Sequence, residues 1–242
     1  MKNIKINKMF KITTAMAFTL SLVACGGSVG GSDTTIAMNL MTVHDNVSYG
    51  TVRSPQTSKV WLDRNLGASR VCSTIIDSEC YGGFYQWGRD TDGHQLTTST
   101  IVTTQATDIQ NVGHADYIDD ENGTFNDDWA SVADTDGSLR SFQWSKIDGS
   151  SVCPVGFRVP TLTELQNESF TDSNDSFNSF LKIPTAGRRD SAGLSFTDVA
   201  VLWASDVNET LSSKLITYES NNTIASGEAD RVLGSNVRCI KD

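Results

Sequence analysis

The groups able to do chemistry in this 242-residue chain are five cysteines, three histidines and a carboxylate-rich stretch. His44, His94 and His114 all fall in the loop-rich first half. His94 and His114 stand near Asp92 and Asp116, the minimum for a base and its orienting partner, but the spacing demands no such pairing. They read as surface histidines. Asp116, Asp119, Asp120, Glu121, Asn122, Asp127 and Asp128 put many oxygens on one loop. Hard cations take six to eight such ligands, which makes calcium the candidate cofactor. The run lacks EF-hand spacing, and a solvated acidic loop is the preferred reading over a calcium site. Asp90-Thr91-Asp92-Gly93 and Asp134-Thr135-Asp136-Gly137 read as turns.

The cysteines divide by context. Cys25 closes Leu22-Val23-Ala24-Cys25, after a basic segment holding Lys2, Lys5, Lys8 and Lys11 and an uncharged apolar stretch from Ile12 to Ala24. That stretch has the length of a signal-peptide core and is too short to span a bilayer. The tetrapeptide resembles a bacterial lipobox, in which the cysteine is acylated and becomes the mature N-terminus. Residues 1–24 are then address, and residues 25–32 are the acylated cysteine and a flexible Gly/Ser linker. A diacylglyceryl anchor holds a membrane stably where a single chain does not. Gly rather than Asp after the cysteine implies a place in the bacterial envelope, at the outer membrane. Four cysteines remain: Cys72, Cys80, Cys153 and Cys239. Four allow three connectivities. Cys72 and Cys80 are close enough to close a local loop of roughly 2.6 kcal/mol, and Cys153 with Cys239 would then close a long loop of roughly 4.5 kcal/mol. The spacings are not those of a zinc site, and the exported context favours disulfides.

The full chain has net charge −10, and losing four lysines and no acid with residues 1–24 takes it to −14. Such acidity argues against nucleic acid, anionic lipid and polyanions as main partners. It suits a neutral ligand, a cation or a basic patch on another protein; the expected partner is a glycan or protein ligand, with the membrane reached through the lipid anchor only.

The elements that must position these groups are short. Residues 33–49 read as an N-terminal extension, and residues 50–242 as one domain. Lys59–Asp63 alternates as a strand, and Tyr81–Gly88 is a Gly- and aromatic-rich core corner. Thr97–Gln110 reads as a polar loop and Asp116–Asp136 as an acidic one. Thr161-Leu162-Thr163-Glu164 is a capping box, so a short helix follows Pro160. Phe177, Phe180 and Leu181 suggest a second. Strands are expected over 183–187, 194–203, 214–218 and 235–240, separated by turns at 190–193 and 219–222. Two short helices and an antiparallel, strand-rich meander closed by the C-terminal strand make an α+β fold.

Several blocks, in order, carry a family resemblance: Val60-Trp61-Leu62-Asp63-Arg64-Asn65-Leu66-Gly67-Ala68, Tyr81-Gly82-Gly83-Phe84-Tyr85-Gln86-Trp87-Gly88-Arg89, Cys153-Pro154-Val155-Gly156-Phe157-Arg158-Val159-Pro160-Thr161, and Val237-Arg238-Cys239-Ile240-Lys241-Asp242. Together they resemble the Fibrobacter succinogenes major paralogous domain (FISUMP) over residues 50–242. The resemblance implies a fold like C-type lectins and formylglycine-generating enzymes, and commonly an exported lipoprotein. It favours the Cys153–Cys239 pair. One departure is Trp203-Ala204-Ser205, where many members carry Trp-Ser-Ser. The calcium-dependent sugar motifs of C-type lectins are missing from the chain. The resemblance directs ligand binding to loops of the late meander, where Arg188, Arg189 and Asp190, then Trp203, Asp206 and Asn208, offer an aromatic platform beside polar groups. Strand alternation makes Trp203 more often core, and Arg188 and Arg189 could pair with Asp190 or Asp198 and be structural. The leading expectation is a non-catalytic surface binding or adhesion module. A structural envelope protein comes second and an enzyme last, since four paired cysteines leave no thiol for chemistry and fold alone carries no activity across.

Overall fold

The computed structural model describes residues 41–120, 127–131, 134–207, 212–220 and 224–242. The expected signal segment, Cys25 and the expected linker lie outside the described residues, as do Glu121, Asn122 and Asn208.

The first half holds short strands between long loops: β1 (Thr42–His44), β2 (Val47–Tyr49), β3 (Thr51–Arg53), β4 (Val60–Leu62), β5 (Tyr85–Gln86), β6 (Ile101–Val102) and β7 (Tyr117–Ile118). Helix α1 (Ser138–Trp144) leads to β8 (Phe157–Arg158), α2 (Leu162–Asn167) and α3 (Ser173–Asn178). The second half is strand-rich: β9 (Arg188–Asp190), β10 (Gly193–Ser195), β11 (Ala200–Val207), β12 (Ser212–Tyr218), β13 (Ile224–Asp230), β14 (Gly234–Ser235) and β15 (Ile240–Lys241). Every named pairing is antiparallel except β6 with β7. The fold is therefore α+β.

The terminal strand enters the middle of a four-stranded sheet of order β3-β4-β15-β8. Cys239, just before β15, is bonded to Cys153, just before β8, and Cys72 is bonded to Cys80. The long disulfide thus clamps the same neighbours that the ladder joins. The expected extension is not wholly separate from this packing. Its residues 42–49 form a hairpin turned by Asp45 and Asn46, both at positive φ, and Tyr49 is buried with its hydroxyl accepting from the Gly67 amide.

Strand β11 divides the core. Its side chains alternate between two apolar clusters, as a strand covered on both faces must. Val201 and Trp203 join Tyr85, Trp87, Trp144, Phe157 and the Cys153–Cys239 bridge. Ala200, Leu202 and Ala204 join Trp61, Leu165, Phe170, Leu181, Ile216 and Tyr218. All five tryptophans are fully buried, at 0% exposure. Four of their indole N–H groups find acceptors: Glu168 for Trp61, and the carbonyls of Ala204, Trp87 and Tyr85 for Trp87, Trp129 and Trp203.

The capping box forms as expected. The Thr161 hydroxyl accepts from the Glu164 amide, and the Glu164 carboxylate accepts from the Thr161 amide. The second helix starts earlier than its apolar spacing suggests, because Asp172 caps it at the Asp175 amide. Two expected strands change. Residues 183–187 are buried but unladdered, since the Thr185 and Gly187 amides donate to Ile75 and Val199 carbonyls rather than to a neighbouring strand. Residues 194–203 break at Phe196, which lies at φ 53°, so β10 and β11 are separate.

Candidate functional site

The late-meander residues do not assemble the expected platform. Trp203 is buried, and its indole donates to Tyr85 O within the core. Arg189 is 2% exposed, and its guanidinium is consumed by the carbonyls of His94, Leu96 and Ser99 and by the Ser99 hydroxyl. Asp190 holds the β9–β10 turn, accepting from the Ala192 amide and the Ser195 hydroxyl. Asp206 accepts from the Leu162 amide at the start of α2. Strand alternation turns Trp203 inward, and the polar groups beside it serve turns and helix ends. Arg188 is half-exposed, as are Asp190 and Asp206, and it lines the mouth of a cleft.

The described residues of the acidic stretch do not converge either. Asp128 is buried and takes two bonds from Arg140, each 2.7 Å, and one from Arg231 at 3.1 Å. The Arg140 guanidinium lies between the Trp87 and Trp129 rings, 5.6 and 5.2 Å from their centroids. Asp119 is buried elsewhere and accepts from the Asp120 amide. Burial, ahead of its other surroundings, raises its pKa. Asp116 stands 3.3 Å from His114 Nδ1, and Asp127 is an exposed turn residue at φ 60°. Among the described residues no group of three or more His, Cys, Asp or Glu side chains could hold a metal ion. The negative charge of Asp128 is balanced by Arg140 and Arg231.

His94 is not a surface residue. It is fully buried, its Nδ1 is 2.7 Å from Asp92, and its Nε2 accepts from the Gln86 amide. Burial outweighs the Asp92 contact, and the Arg89 charge adds to it, so its pKa falls to about 4. With both ring nitrogens engaged, it fixes β5 to the 90–95 turn and has no face for a substrate. His44 Nε2 donates to the Val152 carbonyl at 2.8 Å.

What the structure does build is a polar groove beside α1. Two clefts of about 260 and 520 Å³ share Asp90, Ile109 and Gln110, and so run into one another. Leu139, Gln143 and Lys146 of the α1 region wall one end, and residues 111–115 wall the other. Helix α1 is positioned by Asp134, whose carboxylate accepts from the Leu139 and Arg140 amides at 2.8 and 3.2 Å and pairs with Arg140 Nε at 2.8 Å. Gly88 lies under it at φ 76°, and a Cβ there would strike the Arg140 side chain. Arg140 and Trp144 face inward, so Leu139 and Phe142 face out, the latter 65% exposed.

The free chemistry of the groove is Asp90, Gln110 and Asn111. Among the described residues no hydrogen bond or ion pair engages the Asp90 carboxylate or either side-chain amide. Asp90 is exposed to solvent, and partial desolvation, with the neighbouring Asp92 charge adding to it, raises its pKa. Lys146 donates to Gln143 Oε1 and lies 5.3 Å from the Phe142 ring centroid, which joins that exposed ring to the groove rim. Sequence reasoning missed α1 because its cap comes from a turn residue several positions upstream rather than from an adjacent capping box. Its outward Leu139 and Phe142 also blur the amphipathic pattern.

No family model, curated protein or solved structure matches the chain. The chain holds two disulfides, Cys72–Cys80 and Cys153–Cys239. No helix among the described residues is long and apolar enough to cross a membrane.

Proposed function

We propose that this protein is a non-catalytic binding module of C-type-lectin-like, FISUMP type, held at the bacterial outer membrane through an acylated Cys25. Its ligand is a glycan, taken in the groove beside α1. The observation that carries this reading is the set of unengaged groups in that groove: a carboxylate on Asp90 and amides on Gln110 and Asn111. A carboxylate accepts two hydroxyl protons and an amide both donates and accepts, which is the complement of adjacent sugar hydroxyls. Ile109 and Leu139 supply apolar walls, and the exposed Phe142 ring lies 5.3 Å from Lys146 of the groove wall. Concave, partly apolar sites with a few convergent polar groups are the usual form of a small-ligand site.

The test is a glycan array with the full chain carrying Cys25→Ser, with and without chelator, beside Asp90→Asn and Gln110→Ala. Selective binding that persists in chelator and falls at least tenfold in Asp90→Asn is the expected result. Selective binding untouched by either substitution refutes the groove, and failure to bind any glycan refutes the ligand class.

A further inference from the structure

A second site lies on the far half of the sequence, and its case is independent of the groove. Phe196 is a bulky residue held at φ 53° and left 58% exposed. Non-glycine residues avoid this region, and strain of this kind persists where the surrounding structure enforces it, often at ligand clamps. The enforcement is visible. Gly187, at φ 71°, packs against the carbonyls of Ser195 and Phe196 so closely that no Cβ would fit there. The Phe196 ring is thereby presented under Arg188, whose guanidinium carbon is 4.5 Å from the ring centroid.

Arg188 is otherwise unspent. Its Nε is buried without a hydrogen-bond partner, and no ion pair engages its guanidinium among the described residues. Beneath it is a cleft of about 280 Å³ floored by Val201, Leu215, Thr217 and Gly227. The β12–β13 register puts a Cβ-free position, Gly227, opposite Leu215, which leaves the floor open. The acidic groups near the cleft are Glu219 and Glu228 on its rim, and Asp230, which senses the Arg188 charge. Glu228 is partnered and stands opposite Lys214 in the ladder. An arginine stacked on an aromatic ring keeps its in-plane N–H groups free for two parallel bonds to a carboxylate.

We propose that the cleft under Arg188 and Phe196 binds a small apolar carboxylate, with the acid on Arg188 and the apolar body on Val201 and Leu215. The volume lies just under the range of about 300–1,000 Å³ typical of drug-sized ligand pockets, so one ring or a short acyl chain fills it. The probes are 3-phenylpropanoate, its neutral amide and 3-phenylpropylamine, each titrated into the full chain carrying Cys25→Ser. Binding is followed by methyl NMR at Val201 and Leu215. The carboxylate is expected to shift those methyls and to bind at least tenfold tighter than the amide or the amine. Arg188→Gln is expected to erase that preference while leaving the rest of the spectrum in place. An amine that binds as tightly as the carboxylate, methyls that do not shift at millimolar probe, or a preference that survives Arg188→Gln would each overturn the proposal. The three-probe comparison needs no variant, so it stands even if Arg188→Gln fails to fold.

Discussion

Replacing Asp128 by alanine separates the two roles open to the acidic stretch, a metal ligand and an ion-pair hub. In the structure Asp128 receives three charge-assisted bonds, two from Arg140 and one from Arg231. Both arginines are nearly inaccessible, at 2% and 0% exposure. Without Asp128, Asp134 is the one carboxylate left paired with Arg140. Removing one partner of a buried pair costs about 3–5 kcal/mol, because the stranded charge has no water to return to. For a domain of this size each kcal/mol moves Tm by roughly 2–4 °C, so Asp128→Ala should lower Tm by about 6–20 °C. Asp128→Asn should recover little, since its amide turns a donor toward a guanidinium. The assay is thermal unfolding followed by circular dichroism, disulfides intact, with and without EDTA. Chelator should leave the parent Tm unchanged. A loss below about 1 kcal/mol, or an EDTA effect as large as the substitution, would sink the ion-pair account and restore the metal reading.

Three other outcomes follow from the same packing. Glu164 is pulled down to about 2 because bonds from Arg158 and Thr161 together outweigh its burial. Its contribution, on the order of 2 kcal/mol, is present above its unfolded value near 4.5 and is lost as pH falls toward 2. Glu164→Gln should flatten that part of a urea-midpoint series between pH 6 and pH 2.5, and an unchanged slope counts against the assignment. Replacing both Cys153 and Cys239 by serine should cost more than replacing Cys72 and Cys80, about 4.5 against about 2.5 kcal/mol by loop length, read from denaturant midpoints. The reverse order would show that native packing rather than chain entropy dominates. Gly187→Ala should lower stability by roughly 1–3 kcal/mol and displace the Ser195–Phe196 turn, because it puts a side chain at positive φ against a carbonyl. An unchanged Tm with unchanged Phe196 ring shifts would refute the strain argument.

The sequence by itself determined whatever closes over a few residues. The capping box at Thr161–Glu164 needs only its own four positions, so α2 was legible. The turn at Asp190–Gly193 was legible for the same reason, as was the alternation of Lys59–Asp63. The even set of four cysteines indicated two disulfides, although spacing alone left their connectivity open. Tertiary structure decided the fate of the buried charged candidates. Asp128 meets Arg231 across 103 positions, and Arg189 meets the His94 carbonyl across 95. No local pattern encodes such partners, because an aspartate beside water and an aspartate beside two buried guanidinium groups look alike in sequence. Trp203 shows the same limit. Alternation places it on one face of β11, but only the arrival of Tyr85, Trp87 and Trp144 on that face makes it core rather than platform. The groove and the Arg188 cleft are what remains once these partnerships are formed. Asp90, Gln110, Asn111 and Arg188 are distinguished by the bonds they do not make, and an unmade bond is written only in three dimensions.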